Sequence, residues 1–539
     1  MLAASHSSHA IGSRQRHHRH QLPQQKQRKQ PQRRNPATAS ISASRSSVHH
    51  ASEQYQSRPR PQRQSIRIPW KQIMRLLLFL LPALLLPAAD WPQFRGPNGS
   101  GLCPACGPLP TEFGPTKNVL WKTDLPEGKS SPVIIGDKIF LTASEGDELL
   151  TLCLNRQTGK ILWRHAIRAP KREDQNPLNH RAAPTVTTGP NAVFAFFADF
   201  GLVAYTQDGK PLWQLPLGPF NSQHGLVASP VYADGKLILV ADQDTDAYIL
   251  AVHAVTGKIA WKSPREVING YATPIIHRPA KGPAQVIAPG SYQLTAYSIT
   301  DGEAVWFVRG LTCQPKSAPT IDGDTLYFSG WTSGNDSGQQ VDLPNYTEVA
   351  AKADANKDGK FAPEELPQPW KPTGTWRAVD LDRDGLLNER EWNFFRTRRA
   401  SRNAAMAIKL GGQGNVTDTH VLWKYEKSLP DVPSPLVYNN VVYLFRSGGI
   451  LTTLDPKTGK VLKQGRLTGA LEDYYASPVA ADGKIYIPSE HGKVVVLRAA
   501  GDWEILAIND FDTEIYATPA IVDGAIYLRT AHTLYKIKN

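Results

Sequence analysis

The sequence predicts an all-β fold, an eight-bladed β-propeller with a small α-helical insertion in blade five, and three observations carry that expectation. A small residue followed by proline and a short apolar run recurs eight times: Ser131-Pro132, Ala183-Pro184, Ser229-Pro230, Thr273-Pro274, Ala318-Pro319, Ser434-Pro435, Ser477-Pro478 and Thr518-Pro519. The proline-to-proline steps are 52, 46, 44, 45, 116, 43 and 41 residues, so a single unit has been lengthened by an insertion. Each unit also repeats one internal order of strands and turns, which fixes the number of strands per blade.

That order begins with a short strand after the proline, as in Val133-Ile134-Ile135. A tight turn follows, at Gly136-Asp137, Asp234-Gly235, Asp322-Gly323, Asp482-Gly483 and Asp523-Gly524. Asp-Gly accepts the positive φ that a two-residue hairpin demands. The second strand alternates, as in Lys484-Ile485-Tyr486-Ile487, and the third does so in Leu152-Cys153-Leu154 or Leu451-Thr452-Thr453-Leu454. A glycine turn then leads to a fourth strand ending in tryptophan, as in Thr158-Gly159-Lys160-Ile161-Leu162-Trp163 and Thr256-Gly257-Lys258-Ile259-Ala260-Trp261. The closing tryptophan recurs at Trp121, Trp213, Trp306 and Trp423. Val119-Leu120-Trp121 is a fourth strand with no three before it, and the last unit from Pro519 has three strands and no fourth. The first strand is therefore expected to complete the last blade, leaving only short protected edges.

Six segments follow: 1–73, 74–89, 90–118, 119–334, 335–403 and 404–539. Composition is globular, 41% apolar and 20% charged, which excludes a wholly disordered or fibrous chain. The net charge of +13 lies entirely in residues 1–73, which hold 14 Lys/Arg against Glu53, while the remaining 47 basic and 47 acidic residues cancel. No nucleic-acid groove is implied for the folded part. Residues 1–66, rich in Gln, Arg, His, Ser and Pro, cannot bury a core and are expected to be disordered; translation starting at Met74 accounts for them as a mis-called leader. Met74-Arg75, the apolar run Leu76–Leu86 and Pro87-Ala88-Ala89 have the layout of a secretory signal too short to span a bilayer. The mature protein is thus expected to be exported, to the periplasm, cell surface or medium, with no stable membrane span.

Cys103 and Cys106 form a CPAC unit, and Cys153 and Cys313 stand apart. Gly107 follows where haem attachment requires histidine, and no second pair completes a zinc site. A local Cys103–Cys106 disulfide or two inert thiols is the default.

The insertion carries two twelve-residue loops with oxygen side chains at positions 1, 3 and 5, glycine at 6, a backbone carbonyl at 7 and glutamate at 12. The first uses Asp354, Asn356, Asp358, Lys360 and Glu365; the second uses Asp380, Asp382, Asp384, Leu386 and Glu391. Calcium takes six to eight oxygens from such a loop, and the pair resembles a paired EF-hand. Pro363, Ala362 at position 9, and Pro367 and Pro369 weaken the first loop. Asn388 and a helix over 389–399 favour the second.

The phrase Asp455-Pro456-Lys457-Thr458-Gly459-Lys460, with the Thr-Gly-Lys…Trp copies, resembles the tryptophan-docking repeats of pyrroloquinoline-quinone (PQQ) propellers, the quinoprotein dehydrogenase-like fold. The opening Asp90-Trp91-Pro92-Gln93-Phe94-Arg95-Gly96-Pro97 is similar to that of secreted PQQ-repeat-like proteins. The resemblance implies either a binding scaffold or a PQQ- and calcium-dependent dehydrogenase for an alcohol or sugar. The adjacent cysteines of many such dehydrogenases are absent. Propeller geometry places the residues three before each proline around one mouth of the channel: Lys129, Arg181, Val227, Tyr271, Lys316, Val432, Tyr475 and Tyr516. Three cations and three tyrosines there suit a small anionic or aromatic ligand. His180 and His224 are expected to be ordinary loop histidines. The leading expectation is a calcium-bound binding protein whose partner is a protein, a glycan or such a ligand.

Overall fold

The computed structural model describes residues 90–539 other than Lys171, Asp174, Gln175, Pro177 and Thr373. The leader and the signal segment lie outside the described residues. Among the described residues, strands form eight sheets, antiparallel apart from one two-residue parallel pairing, each ordered from an inner to an outer strand. Blade one consists of Val133–Ile135, Lys138–Glu145, Glu148–Asn155 and Ile161–Arg168. Its two central strands are buried along nearly their whole length, whereas the outer strand alternates exposed and half-buried residues. That contrast follows from position, because central strands are covered on both faces by neighbouring blades. In blade eight, Ala520–Val522, Ala525–Arg529 and Thr533–Ile537 are joined by Val119–Asp124, which pairs antiparallel with Thr533–Ile537.

The recurrent small residue has a physical use. Around the channel, a backbone N–H of one blade donates to a hydroxyl of the next: Ser131 to Thr185, Thr185 to Ser229, Ser229 to Thr273, Ala318 to Ser434, Ser434 to Ser477, Ser477 to Thr518 and Thr518 back to Ser131, at 2.9–3.1 Å. The belt lacks a link between blades four and five because Ala318 carries no hydroxyl. A second set of links lies outside it. The indole N–H of Trp121, Trp163, Trp213, Trp261 and Trp423 donates to a carbonyl of the following blade. Each ring lies on the turn glycine of that blade, where a Cβ would come within 2.8 Å. Trp306 departs from the pattern. It is fully buried and donates to Gln285 of its own blade, beside a two-residue strand, Gly414–Asn415, that pairs parallel with the blade's outer strand.

Residues 90–106 run across the channel below the hydroxyl belt. Trp91 exchanges backbone hydrogen bonds with Ile134 of blade one, and Thr188 of blade two donates to Pro92. Asn98 is bonded to Ile276 of blade four, while Arg95 reaches Thr320 and Pro435 of blades five and six. Cys103 donates to Ala480 of blade seven, and Cys103 and Cys106 form a disulfide. The segment acts as a stopper made of backbone and buried side chains.

Between the second and third strands of blade five, Thr325–Gly330 and Ala404–Lys409, the chain makes a long excursion. It holds the helices Tyr346–Ala353 and Glu389–Ala400, capped by Asn345 and by an Asn388–Glu391 capping box. Its own small core includes Val349, Phe361, Leu387, Trp392 and Phe395. Phe361 and Leu387 pair as an antiparallel bridge between the two loops. Among the described residues, no helix is long and apolar enough to cross a membrane.

Candidate functional site

The loops entering the inner strands enclose a cavity of about 340 Å³ above the stopper. Of the eight residues placed at the mouth from sequence, Lys129, Val227, Tyr271, Lys316, Val432, Tyr475 and Tyr516 line it, and Phe94 of the stopper contributes to its wall. Arg181 does not line it. Its Nε donates to Asp199 at 2.6 Å and its Nη1 to the Gly146 carbonyl at 2.8 Å, which turns it toward the loops of blades one and two. Asp199 is buried beside it, a partner that no local motif announces.

The two lysines of the cavity differ. Lys316 Nζ is 2.6 Å from Asp431, so its charge is met. Lys129 donates to the Leu178 carbonyl at 2.6 Å and lies 3.5 Å from the centre of the Tyr516 ring. Burial lowers its affinity for a proton, and the more distant Glu514 and Glu490 restore part of it. No carboxylate among the described residues forms an ion pair with it. Tyr475 and Tyr516 stand 5.4 Å apart, and Tyr516 donates its hydroxyl to Glu490 at 2.7 Å. His224 faces Tyr271 across the cavity wall at 5.9 Å. His180 lies in a side crevice, where burial and the charges of Arg529, Lys129 and Arg181 push it down to about 4 against a counter-pull from Glu127. It is therefore a neutral imidazole at neutral pH.

Among the described residues, this lining lacks the set of carboxylates that would hold a metal against a quinone. Asp431 is its single carboxylate among them, and Lys316 already pairs with it. Adjacent cysteines are lacking, and Cys153 and Cys313 are both buried singly. We therefore derive no oxidation step from this cavity.

The insertion presents a different chemistry. The carboxylates of Asp380, Asp382 and Asp384 lie within 4.8 Å of one another. Asp380 is buried, and its Oδ1 has no hydrogen-bond partner. Glu391, 1% exposed, accepts backbone N–H groups of Leu381, Asp382 and Asn388, and burial raises its proton affinity. A carboxylate oxygen sealed from water without a donor is costly unless a cation completes it, so these residues fit calcium. In the first loop Asp354, Asn356, Asp358 and Glu365 spend their oxygens on backbone N–H groups of their own loop, and the ammonium of Lys360 pairs with Asp384 of the second. Leu386 takes the carbonyl position of the second loop and donates its N–H to Asp384.

The second loop also rests on the propeller. Leu381 and Phe394 pack against Ile268, Tyr292 and Cys313, and Asn221 donates to the Leu381 carbonyl at 2.9 Å. Arg390 reaches the Asp244 carbonyl at 3.3 Å.

A propeller with a stoppered channel and a helical insertion defines the class. The family described as outer membrane protein assembly factor BamB matches residues 113–278, 202–334 and 413–538, and the chain belongs to that family. No curated protein shows significant sequence similarity to it. Among solved structures it is similar to BamB from Moraxella catarrhalis, at 13% identity over 78% of this chain and 99% of that one, with a TM-score of 0.49. The computationally designed Ika8 protein is similar at 10% identity, covering 79% and 100%, with a TM-score of 0.48. The quinohemoprotein alcohol dehydrogenase from Comamonas testosteroni is similar at 12% identity, covering 83% and 80%, with a TM-score of 0.37.

Proposed function

We propose that this chain is an exported binding protein whose cavity takes a small anionic ligand with a flat or aromatic ring, and whose insertion is a paired EF-hand holding structural calcium in its second loop. The observation that carries the ligand reading is Lys129, an ammonium in the cavity wall with a carbonyl and a tyrosine face for company and no paired carboxylate among the described residues. An incoming carboxylate there would gain a charge-assisted hydrogen bond, and Tyr475 and Tyr516 offer the ring its contact. Membership of a family described as an outer-membrane assembly factor supports binding over catalysis, and supports export. Calcium in an exported protein is often near the affinity of extracellular sites, so the insertion is read as a brace rather than a switch.

The test is calorimetric titration of the full chain, calcium present, with PQQ, simple aromatic carboxylates and uronic acids. At least one of these is expected to bind with one-to-one stoichiometry, and Lys129→Met to weaken it by about tenfold to a hundredfold, the worth of a hydrogen bond to a charged group. Tight binding of PQQ together with turnover of an alcohol would replace this reading with the dehydrogenase. Equal affinity of wild type and Lys129→Met would remove the lysine from the site.

A further inference from the structure

The second calcium loop and the ligand cavity share three segments of backbone. Leu381, the second residue of that loop, packs with Ile268, Tyr292 and Cys313, and its carbonyl accepts the Asn221 amide at 2.9 Å. Phe394, on the helix that follows the loop, stacks on Tyr292 with ring centres 6.1 Å apart. Asn221, Ile268 and Cys313 each stand three positions before a residue of the cavity wall, namely His224, Tyr271 and Lys316. The loop thus rests on the segments that lead into blades three, four and five. Lys129, Tyr475 and Tyr516 come from blades one, seven and eight, on the other side of the ring.

The three segments are also tied to one another. The Asp244 N–H donates to the Asn221 carbonyl at 2.7 Å, and the Asn269 amide donates to the Asp244 carboxylate. Ser291 makes the next link, donating its hydroxyl to the Asn269 carbonyl and accepting the Gln314 N–H, both at 2.8 Å. The Tyr271 N–H donates to the Pro315 carbonyl at 2.8 Å. Packed and bonded contacts of this kind hold or give way rather than stretch, so a shift at Leu381 reaches all three segments. The calcium loop has cause to shift. Leu381 lies between Asp380 and Asp382, and its N–H donates to Glu391 at 2.6 Å. Without a cation, the carboxylates of Asp380, Asp382 and Asp384, within 4.8 Å of one another, repel, and the residue between the first two moves with them.

We propose that calcium in the second loop orders the half of the cavity rim that carries His224, Tyr271 and Lys316, so that calcium and the cavity's ligand bind cooperatively; this rests on the calcium and ligand readings given above. Leu381 and Phe394 are the coupling residues, and Asn221, Ile268, Tyr292 and Cys313 receive them. The brace therefore has a functional consequence. A chain in a compartment poor in calcium has a slack cavity, and the same chain delivered to millimolar calcium has a formed one.

The experiment follows hydrogen exchange of the full chain with calcium and after its removal by a chelator, with bound calcium counted in parallel. Removal is expected to speed exchange by about tenfold or more in residues 220–224, 267–271 and 311–314, and to leave 127–131, 472–476 and 513–517 unchanged. Phe394→Ala takes away the stack on Tyr292 without touching a calcium ligand or the cavity. It is expected to keep its bound calcium while the three segments exchange fast whether or not calcium is present, and Asn221→Ala tests the same coupling through the Leu381 carbonyl. Calorimetry with 4-hydroxybenzoate, an aromatic carboxylate, is expected to show affinity falling about fivefold or more without calcium, and calcium affinity rising by the same factor when the carboxylate is present. A chain that binds calcium yet shows the same exchange and the same carboxylate affinity with and without it overturns the linkage alone. A chain that binds no calcium overturns the calcium reading and the linkage together. A rim that orders with calcium but takes no aromatic carboxylate overturns the ligand reading, and the linkage with it.

Discussion

At the scale of single residues, the turn glycines show how one position can meet two demands at once. Gly257 has φ +71° and would place a Cβ 2.7 Å from the Trp213 ring, whereas Gly136 has φ +52° and nothing within 4 Å. A side chain at Gly136 faces only the strain of the left-handed region, about 1–2 kcal/mol. At Gly257 the overpacking term of about 1–3 kcal/mol is added. Gly257→Ala is therefore expected to destabilise the protein by about 2–5 kcal/mol and Gly136→Ala by about 1–2 kcal/mol, as urea unfolding would measure. Equal losses would show that the tryptophan moves aside freely. The Thr-Gly-Lys…Trp spacing was legible in the sequence because a rare residue type, tryptophan, stands at a fixed interval after a turn glycine. The belt of hydroxyls was not, since Ser, Thr and Ala before proline look alike until the next blade supplies a donor. Arg181 shares the register of Lys129, yet Asp199 draws it away, and a pairing that depends on a residue 18 positions on leaves no local mark.

At the scale of elements, the insertion divides its two loops by what surrounds them. Asp380 and Glu391 are buried, while Asp354 is half-buried and Asp358 exposed. Calcium removal is accordingly expected to lower the melting temperature through the second loop. Asp380→Ala should abolish most of the chelator-sensitive shift, and Asp354→Ala should leave most of it in place. A shift that vanishes with Asp354→Ala instead would reverse the ranking. The turn glycines of the two loops, Gly359 at φ +75° and Gly385 at φ +88°, were readable because their spacing from the flanking oxygen side chains is local. That the second loop would settle on Ile268, Tyr292 and Cys313 was not readable, because those contacts join residues about a hundred positions apart and their partners are ordinary apolar side chains.

At the scale of the whole molecule, eight nearly equal units are held by links of two kinds, and the junction of blades four and five lacks both. Ala318 has no hydroxyl for the belt and Trp306 is turned inward. The stopper compensates by spanning that side, with Asn98 on blade four and Arg95 on blades five and six. Deleting residues 90–106 removes the buried Trp91, Cys103 and Cys106 and is expected to cost about 5 kcal/mol or more from lost burial alone. Hydrogen exchange should then rise first in Ala304–Arg309 and Thr320–Asp322, the strands flanking that junction. Uniform exchange around all eight blades would show that the ring opens without a preferred place.

The pairing of Val119–Asp124 with Thr533–Ile537 has one more consequence. A ribosome must deliver more than four hundred residues before the first strand of the propeller can meet its partner, so the earliest segment waits longest for its final neighbours. Any product that stops short of Thr533–Ile537 leaves Val119–Asp124 with an open, exposed-leucine edge, a ready target for proteases and for mispairing. The arrangement thus serves as an inspection of completeness, since the circle shuts only once Thr533–Ile537 has been made.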